Sequence, residues 1–164
     1  MKIGAISDSH DRLSMLDHAV KRLNADAVDL VLHAGDYISP FVVPHFAALK
    51  ANLIGVYGNN DGDREVLRHR FRELGDDIRG QFAEVIADGL RIALLHGDEE
   101  ELLRSLIGLE AYDVIVHGHT HKSKVSRKGV TLIVNPGEVC GYLSGNPSMA
   151  IIDTKPIRAQ IIPL

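Results

Sequence analysis

The chain has 164 residues, 45% of them hydrophobic, a formal net charge of -4 and a single cysteine, Cys140. That length predicts one domain spanning 1–164, able to bury about 68–70% of its unfolded surface without disulfides, and one cysteine excludes both an internal bridge and a thiolate zinc cluster. No apolar run approaches the roughly 18 residues of a membrane span, and the short start Ile3-Gly4-Ala5-Ile6 is no secretory leader, so a cytoplasmic location with no membrane contact is expected.

The first two thirds alternate short β-branched runs with amphipathic ones, the pattern of an α/β domain with a mainly parallel sheet. Strands are predicted over Lys2–Ser7, Ala27–His33, Leu53–Tyr57, Arg91–His96 and Val114–His117, each apolar enough for burial on both faces. Helices are predicted over Arg12–Asn24, with Leu13, Leu16, Val20 and Leu23 on one face, and over Val42–Leu49, Arg64–Leu74 and Glu99–Ile107. Asp88-Gly89 signals a hairpin joining Gln81–Ala87 to Arg91–His96. The last third predicts antiparallel strands over Lys122–Ser126, Val130–Val134, Ser148–Asp153 and Ile157–Ile162, with Gly141–Pro147 as an exposed loop. The basic cluster Lys122, Lys124, Arg127 and Lys128 is read as a solvated hairpin edge, and the negative net charge argues against a stable nucleic-acid complex. The expected partner is a small soluble substrate, with homo-oligomerisation left open.

Polar, metal-binding side chains follow each of the five parallel strand candidates: Asp8-Ser9-His10, Gly35-Asp36, Gly58-Asn59-Asn60-Asp61, His96-Gly97 and Gly118-His119-Thr120-His121. Open α/β sheets bind ligands at the carboxyl ends of their strands, so these segments are expected to converge on one crevice, with glycines supplying sharp turns. Carboxylates, imidazoles and an amide oxygen, with no thiolate, form a shell for Mn²⁺, Fe²⁺, Zn²⁺, Ni²⁺ or Co²⁺. Seven candidate ligands exceed one ion's needs and suit two, with Asp36 the natural bridge and an attacking water held between the ions.

These five blocks, in this order, resemble the calcineurin-like metallophosphoesterase superfamily, and the match spans nearly the whole chain. More narrowly, the chain looks like that superfamily's small bacterial and archaeal phosphodiesterases, relatives of a catalytically silent retromer subunit. The resemblance implies a four-layer α/β/β/α sandwich of two mixed β-sheets flanked by helices. It also implies Asp8, His10, Asp36 and His121 around one ion, and Asp36, Asn59, His96 and His119 around a second, with Mn²⁺ the first expectation for both.

Two positions depart from the family pattern. Asn60 stands where a histidine is usual, and asparagine donates hydrogen bonds but is no general acid near neutral pH. Asn60 and Asp61 are the catalytic candidates beside the water, and Asn59 and Asn60 the substrate-binding ones, with Asp61 expected in a supporting contact. After Asn135-Pro136-Gly137 the chain reads Glu138-Val139-Cys140 in place of the family's serine and later arginine, and Glu138 is expected to disfavour doubly charged monoesters. His33 is expected in the core, His117 in packing or behind a ligand, and His18, His45 and His69 away from the site. Phosphodiester hydrolysis is the leading reading. A phosphomonoesterase or nucleotide phosphatase on the same metals, and a silent interaction scaffold on the same fold, are the alternatives.

Overall fold

A computed structural model describes all residues, 1–164. Eleven strands form two mixed sheets. The first has the order β11-β10-β1-β2-β3-β4, built from β1 (Lys2–Ile6), β2 (Leu30–His33), β3 (Asn52–Gly55), β4 (Asp77–Ile78), β10 (Ser148–Thr154) and β11 (Ile157–Pro163). The second has the order β5-β6-β7-β9-β8, from β5 (Phe82–Ala87), β6 (Leu90–Leu95), β7 (Val114–Val116), β8 (Lys124–Lys128) and β9 (Thr131–Asn135). The helices are α1 (Leu13–Ala25), α2 (Val43–Phe46), α3 (Arg64–Glu73) and α4 (Glu100–Leu109).

Strand periodicity divides the apolar residues among three layers of contact. Along β1, Ile3 and Ala5 face the second sheet while Ile6 faces the helices, and along β2 Leu30 and Leu32 face inward while Val31 faces outward. Leu16, Ala19, Val20 and Leu23 of α1 pack with Leu67 and Phe71 of α3 over the first sheet. On the other side Leu103, Leu106 and Ile107 of α4 cover Ala93, Leu95 and Ile115. The result is the expected four-layer α/β/β/α sandwich.

Two expectations need correction. The parallel strands do not form one sheet: β1, β2 and β3 run parallel in the first, while β6, β7 and β9 run parallel in the second. The antiparallel pairing expected in the last third is present, β8 with β9 and β10 with β11, but it is divided between the sheets, β10 and β11 extending the first beyond β1 while β8 and β9 complete the second. A period-2 pattern records which strands are half-buried, not which strands they pair with. The helix expected over Val42–Leu49 is shorter, a 3-10 turn at Pro40–Val42 followed by α2, and β4 is a two-residue strand too short to leave a pattern. The basic segment contributes β8, the second sheet's edge strand, as the solvated-edge reading holds. No helix is long and apolar enough to cross a membrane.

His33 is a core residue, fully buried, with its ring stacked 3.8 Å from Tyr37 and its Nδ1 accepting the Gly35 N–H at 3.1 Å. Burial pushes its imidazole down to about 3. The unfolded chain takes up that proton below about pH 6.5 and the folded chain does not, so this contribution is complete above pH 6.5 and is lost as pH falls towards 3. Urea unfolding between pH 7 and 4 should show wild type losing up to ~1.4 kcal/mol per pH unit more than His33→Phe, which keeps the ring. Equal pH slopes for the two proteins would contradict it.

Candidate metal centre

Six parallel strands end at the same edge of the sandwich, three from each sheet. β1 leads into Asp8 and His10, β2 into Asp36, and β3 into Asn59, Asn60 and Asp61. β6 leads into His96, β7 into His119 and His121, and β9 into Glu138. The crevice therefore lies across the carboxyl edges of two stacked sheets, not along one. The loops are laced together by backbone: Asp8 N–H donates to Gly35 O (3.0 Å), His10 N–H to Asp36 O (3.1 Å), Gly118 N–H to His96 O (2.8 Å) and Cys140 N–H to Asp8 O (3.0 Å).

Local backbone geometry explains how short side chains reach the centre. Asp8, His10, Asp36, His119 and His121 all have positive φ, between 43° and 66°, five of the seven candidate ligands in a conformation that costs most L-residues energy. Glycine plays two different parts here. Gly35 and Gly97 turn with φ near +98° and +99°, whereas Gly58 and Gly118 are needed for space, since a Cβ would collide with the Asp36 carboxylate at the first and with Ser7 and Asp8 at the second.

All seven candidates come together, in two overlapping groups. His10 Nε2 lies 3.7 Å from Asp8 Oδ1 and 3.3 Å from Asp36 Oδ2, and His121 Nε2 lies 3.4 Å from Asp8 Oδ1. In the other group His96 Nε2 is 3.4 Å from Asp36 Oδ2 and 3.1 Å from Asn59 Oδ1, which is 3.1 Å from His119 Nδ1. Asp36 Oδ2 belongs to both. Donors each about 2.1 Å from a common ion stand roughly 3.0–3.4 Å apart, which is the spacing of most of these pairs. Asp8 Oδ1 and His10 Nε2 are also buried without a hydrogen-bond partner, a costly state for polar atoms that a cation would relieve. The donor set thus fits a divalent cation.

Electrostatics point the same way. Burial works against charge on Asp36, yet the His96 contact and the Asn60 hydrogen bonds outweigh it and hold its carboxyl well below the usual range. Burial likewise opposes protonation of His96, and the Asp36 carboxylate overcomes it. His10 is raised by its contact with Asp8, against burial and with help from Asp36. Buried carboxylates at the centre draw in positive charge, as protons or as metal.

The surrounding residues take distinct positions. Asn60 donates to Asp36 twice, from its backbone N–H (2.9 Å) and from Nδ2 (2.8 Å), so its side chain steadies the shared carboxylate. Asp61 is buried and accepts the N–H groups of Asp36 (3.0 Å), Ile38 (2.8 Å) and Gly58 (2.7 Å). It has no oxygen turned to a substrate and acts on the site through the backbone it holds. Asn135 Nδ2 donates to Gly118 O (2.9 Å) and Thr120 Oγ1 (3.0 Å), clamping the loop that carries His119 and His121, and burial lowers the neighbouring His117. His45 pairs with Asp17 at 2.7 Å and His69 with Glu73 at 3.4 Å, away from the centre.

Glu138 is not where the expected charge repulsion would put it. It is fully buried and its oxygens receive His121, Cys140, Leu143 and Ser144, which hold its carboxyl down to about 2 despite burial. Cys140 Sγ lies close to His10 and His121, but its thiol donates to Glu138 at 3.0 Å, and burial with that contact pushes it up to about 12, so it is packing rather than a ligand. Arg12 is read from the sequence only as the start of a helix. Its guanidinium lies 5.5 Å over the Tyr142 ring and donates to Cys140 O, a long-range contact with no local signature.

Residues 1–156 match the family model of the calcineurin-like phosphoesterase superfamily domain, and the chain belongs to that superfamily. Phosphodiesterase MJ0936 of Methanocaldococcus jannaschii is 40% identical over 156 residues, 94% of each chain, and phosphodiesterase YfcE of Escherichia coli is 24% identical over 90% of this chain and 84% of its own. A solved archaeal phosphodiesterase superposes with a TM-score of 0.95 at 38% identity over the whole of both chains. Zinc-complexed Vps29 of Entamoeba histolytica shares the fold, with a TM-score of 0.70 at 19% identity over 99% of each chain.

Asp61→Ala should lower the free energy of unfolding by roughly 2–4 kcal/mol, because it strands buried N–H groups that desolvation makes costly. Denaturant unfolding of metal-free protein checks this, and a loss under 0.5 kcal/mol, roughly the size of a surface substitution, would count against it.

Proposed function

We propose that this chain is a metal-dependent phosphodiesterase working at a two-ion centre. The observation that carries the reading is the pair of donor groups sharing Asp36 Oδ2, with Asp8, His10 and His121 on one side and Asn59, His96 and His119 on the other. Two such ions, when bound, activate the attacking water and neutralise charge on the phosphoryl oxygens. A mixed shell of oxygen and imidazole donors without a thiolate is compatible with Mn²⁺, the ion expected from the sequence, and equally with Ni²⁺, Fe²⁺, Zn²⁺ or Co²⁺.

The chain's own residues define what else the site contributes. Asn60 orients Asp36 and offers no proton, and Asp61 has its oxygens committed to backbone amides. Neither Asn60 nor Asp61 is therefore suited to act as a general acid, which favours esters whose leaving group departs without one. The names of MJ0936 and YfcE support a diester over a monoester. A silent scaffold is disfavoured because every donor position carries a competent side chain.

Metal-stripped protein resupplied with Mn²⁺ should cleave bis(p-nitrophenyl) phosphate faster than p-nitrophenyl phosphate, and Asp36→Ala should abolish both activities. A matched alkyl diester should react slower by about 10²–10⁴-fold, the usual worth of general acid catalysis. Faster monoester turnover would overturn the diester assignment. No turnover by protein shown to bind two ions would favour the scaffold.

A further inference from the structure

We propose that Glu138 is a positioning residue: its carboxylate fixes the ring of His121 for the first ion position and ties that histidine to the exposed segment at 142–144. The inference rests on the two-ion reading above and goes beyond it, since Glu138 is none of the seven donors.

Geometry dictates the direction of the contact. Glu138 Oε2 lies 2.6 Å from His121 Nδ1, while His121 Nε2 lies 3.4 Å from Asp8 Oδ1. A carboxylate only accepts hydrogen bonds, so Nδ1 carries the proton and Nε2 keeps its lone pair for the ion. His96 receives the same service from backbone, its Nδ1 lying 2.8 Å from Ala34 O. A carboxylate partner raises ligand basicity as well as fixing the ring. The two positions are therefore backed unequally, one by a full negative charge and the other by a carbonyl dipole.

The same carboxylate has further partners. It accepts from Cys140 Sγ at 3.0 Å and from the backbone N–H groups of Leu143 (3.1 Å) and Ser144. That network holds the segment of Tyr142 and Leu143, 61% and 76% exposed, whose Tyr142 ring lies under Arg12, two residues along the chain from His10. With four donors aimed at it and no Lys or Arg partner, Glu138 suits a carboxylate and not an amide. Glutamine would direct an NH₂ group at donors.

The test needs a readout that packing alone would not move. Proton–nitrogen correlation spectra of the histidine rings in metal-free wild type should show His121 protonated at Nδ1, the nitrogen that faces Glu138. Calorimetric titration with Zn²⁺ should show one of two sites weakened about 10–100-fold in Glu138→Gln, the other unchanged, and partial recovery in Glu138→Asp. A bare Nδ1 in wild type, or a folded Glu138→Gln with both affinities intact, would overturn the proposal. If Glu138→Gln does not fold, the ring spectrum of wild type decides alone. Wild type binding no Zn²⁺ would instead sink the two-ion reading, and the ring spectrum would still decide whether Glu138 holds His121.

Discussion

The apolar layer between the two sheets is the constraint on which the site depends. Ile3, Ala5, Leu30 and Leu32 from one sheet meet Val85, Ile92, Leu94, Val114 and Val116 from the other in one apolar cluster. Stacked sheets stand about 10 Å apart, so side chains at their edges do not meet unless the chain turns inward beyond the last apolar pair. Asp36 and His96 come within 3.4 Å from opposite sheets because the residues after β2 and β6 make that turn. Core packing and donor spacing are thus one geometrical problem.

Turning inward has a conformational cost. A non-glycine residue in the left-handed region costs roughly 1–3 kcal/mol, and five donor-bearing residues adopt it. Aspartate tolerates this region better than most residues, and histidine shares some of that tolerance. The rest is offset by hydrogen bonds that hold the turns from behind: Asp61 collects amides on the first sheet's side, Asn135 clamps carbonyl and hydroxyl on the second's. The centre is preorganised by polar residues that contribute no donor to it.

The sequence made legible the elements and the polar residues that cluster at the strand ends, while leaving the long-range partnership of the strands hidden. Strand periodicity marked β1, β2, β6 and β7 closely, because each carries a buried face, and the run of Asp, His and Asn after successive strands marked the centre. The hairpin of β5 with β6 across Asp88-Gly89 was legible, but pairing between distant strands was not, since it is fixed by the sheets' stacking and by long-range contacts such as β1 with β10. Glu138 was misjudged for a related reason. A carboxylate after Pro136-Gly137 reads as surface charge until the fold shows His121 and two backbone amides turned towards it. Asn60 was noticed for what it lacks, and only the structure shows its two hydrogen bonds to Asp36.

The tight turns have a distribution of their own. Asp88-Gly89 precedes β6, Gly129 precedes β9, and Thr154-Lys155-Pro156 follows β10 at the end that lies against Lys2, so all three sit at the amino ends of the parallel strands. Asp88 joins two of them, accepting from Thr154 Oγ1 at 2.6 Å and Lys155 Nζ at 2.8 Å. The sandwich is polarised along its strands, with connection at one pole and chemistry at the other. Lengthening a turn at the connecting pole, or tethering the protein there to a solid support, leaves the opposite pole facing solution with its geometry undisturbed.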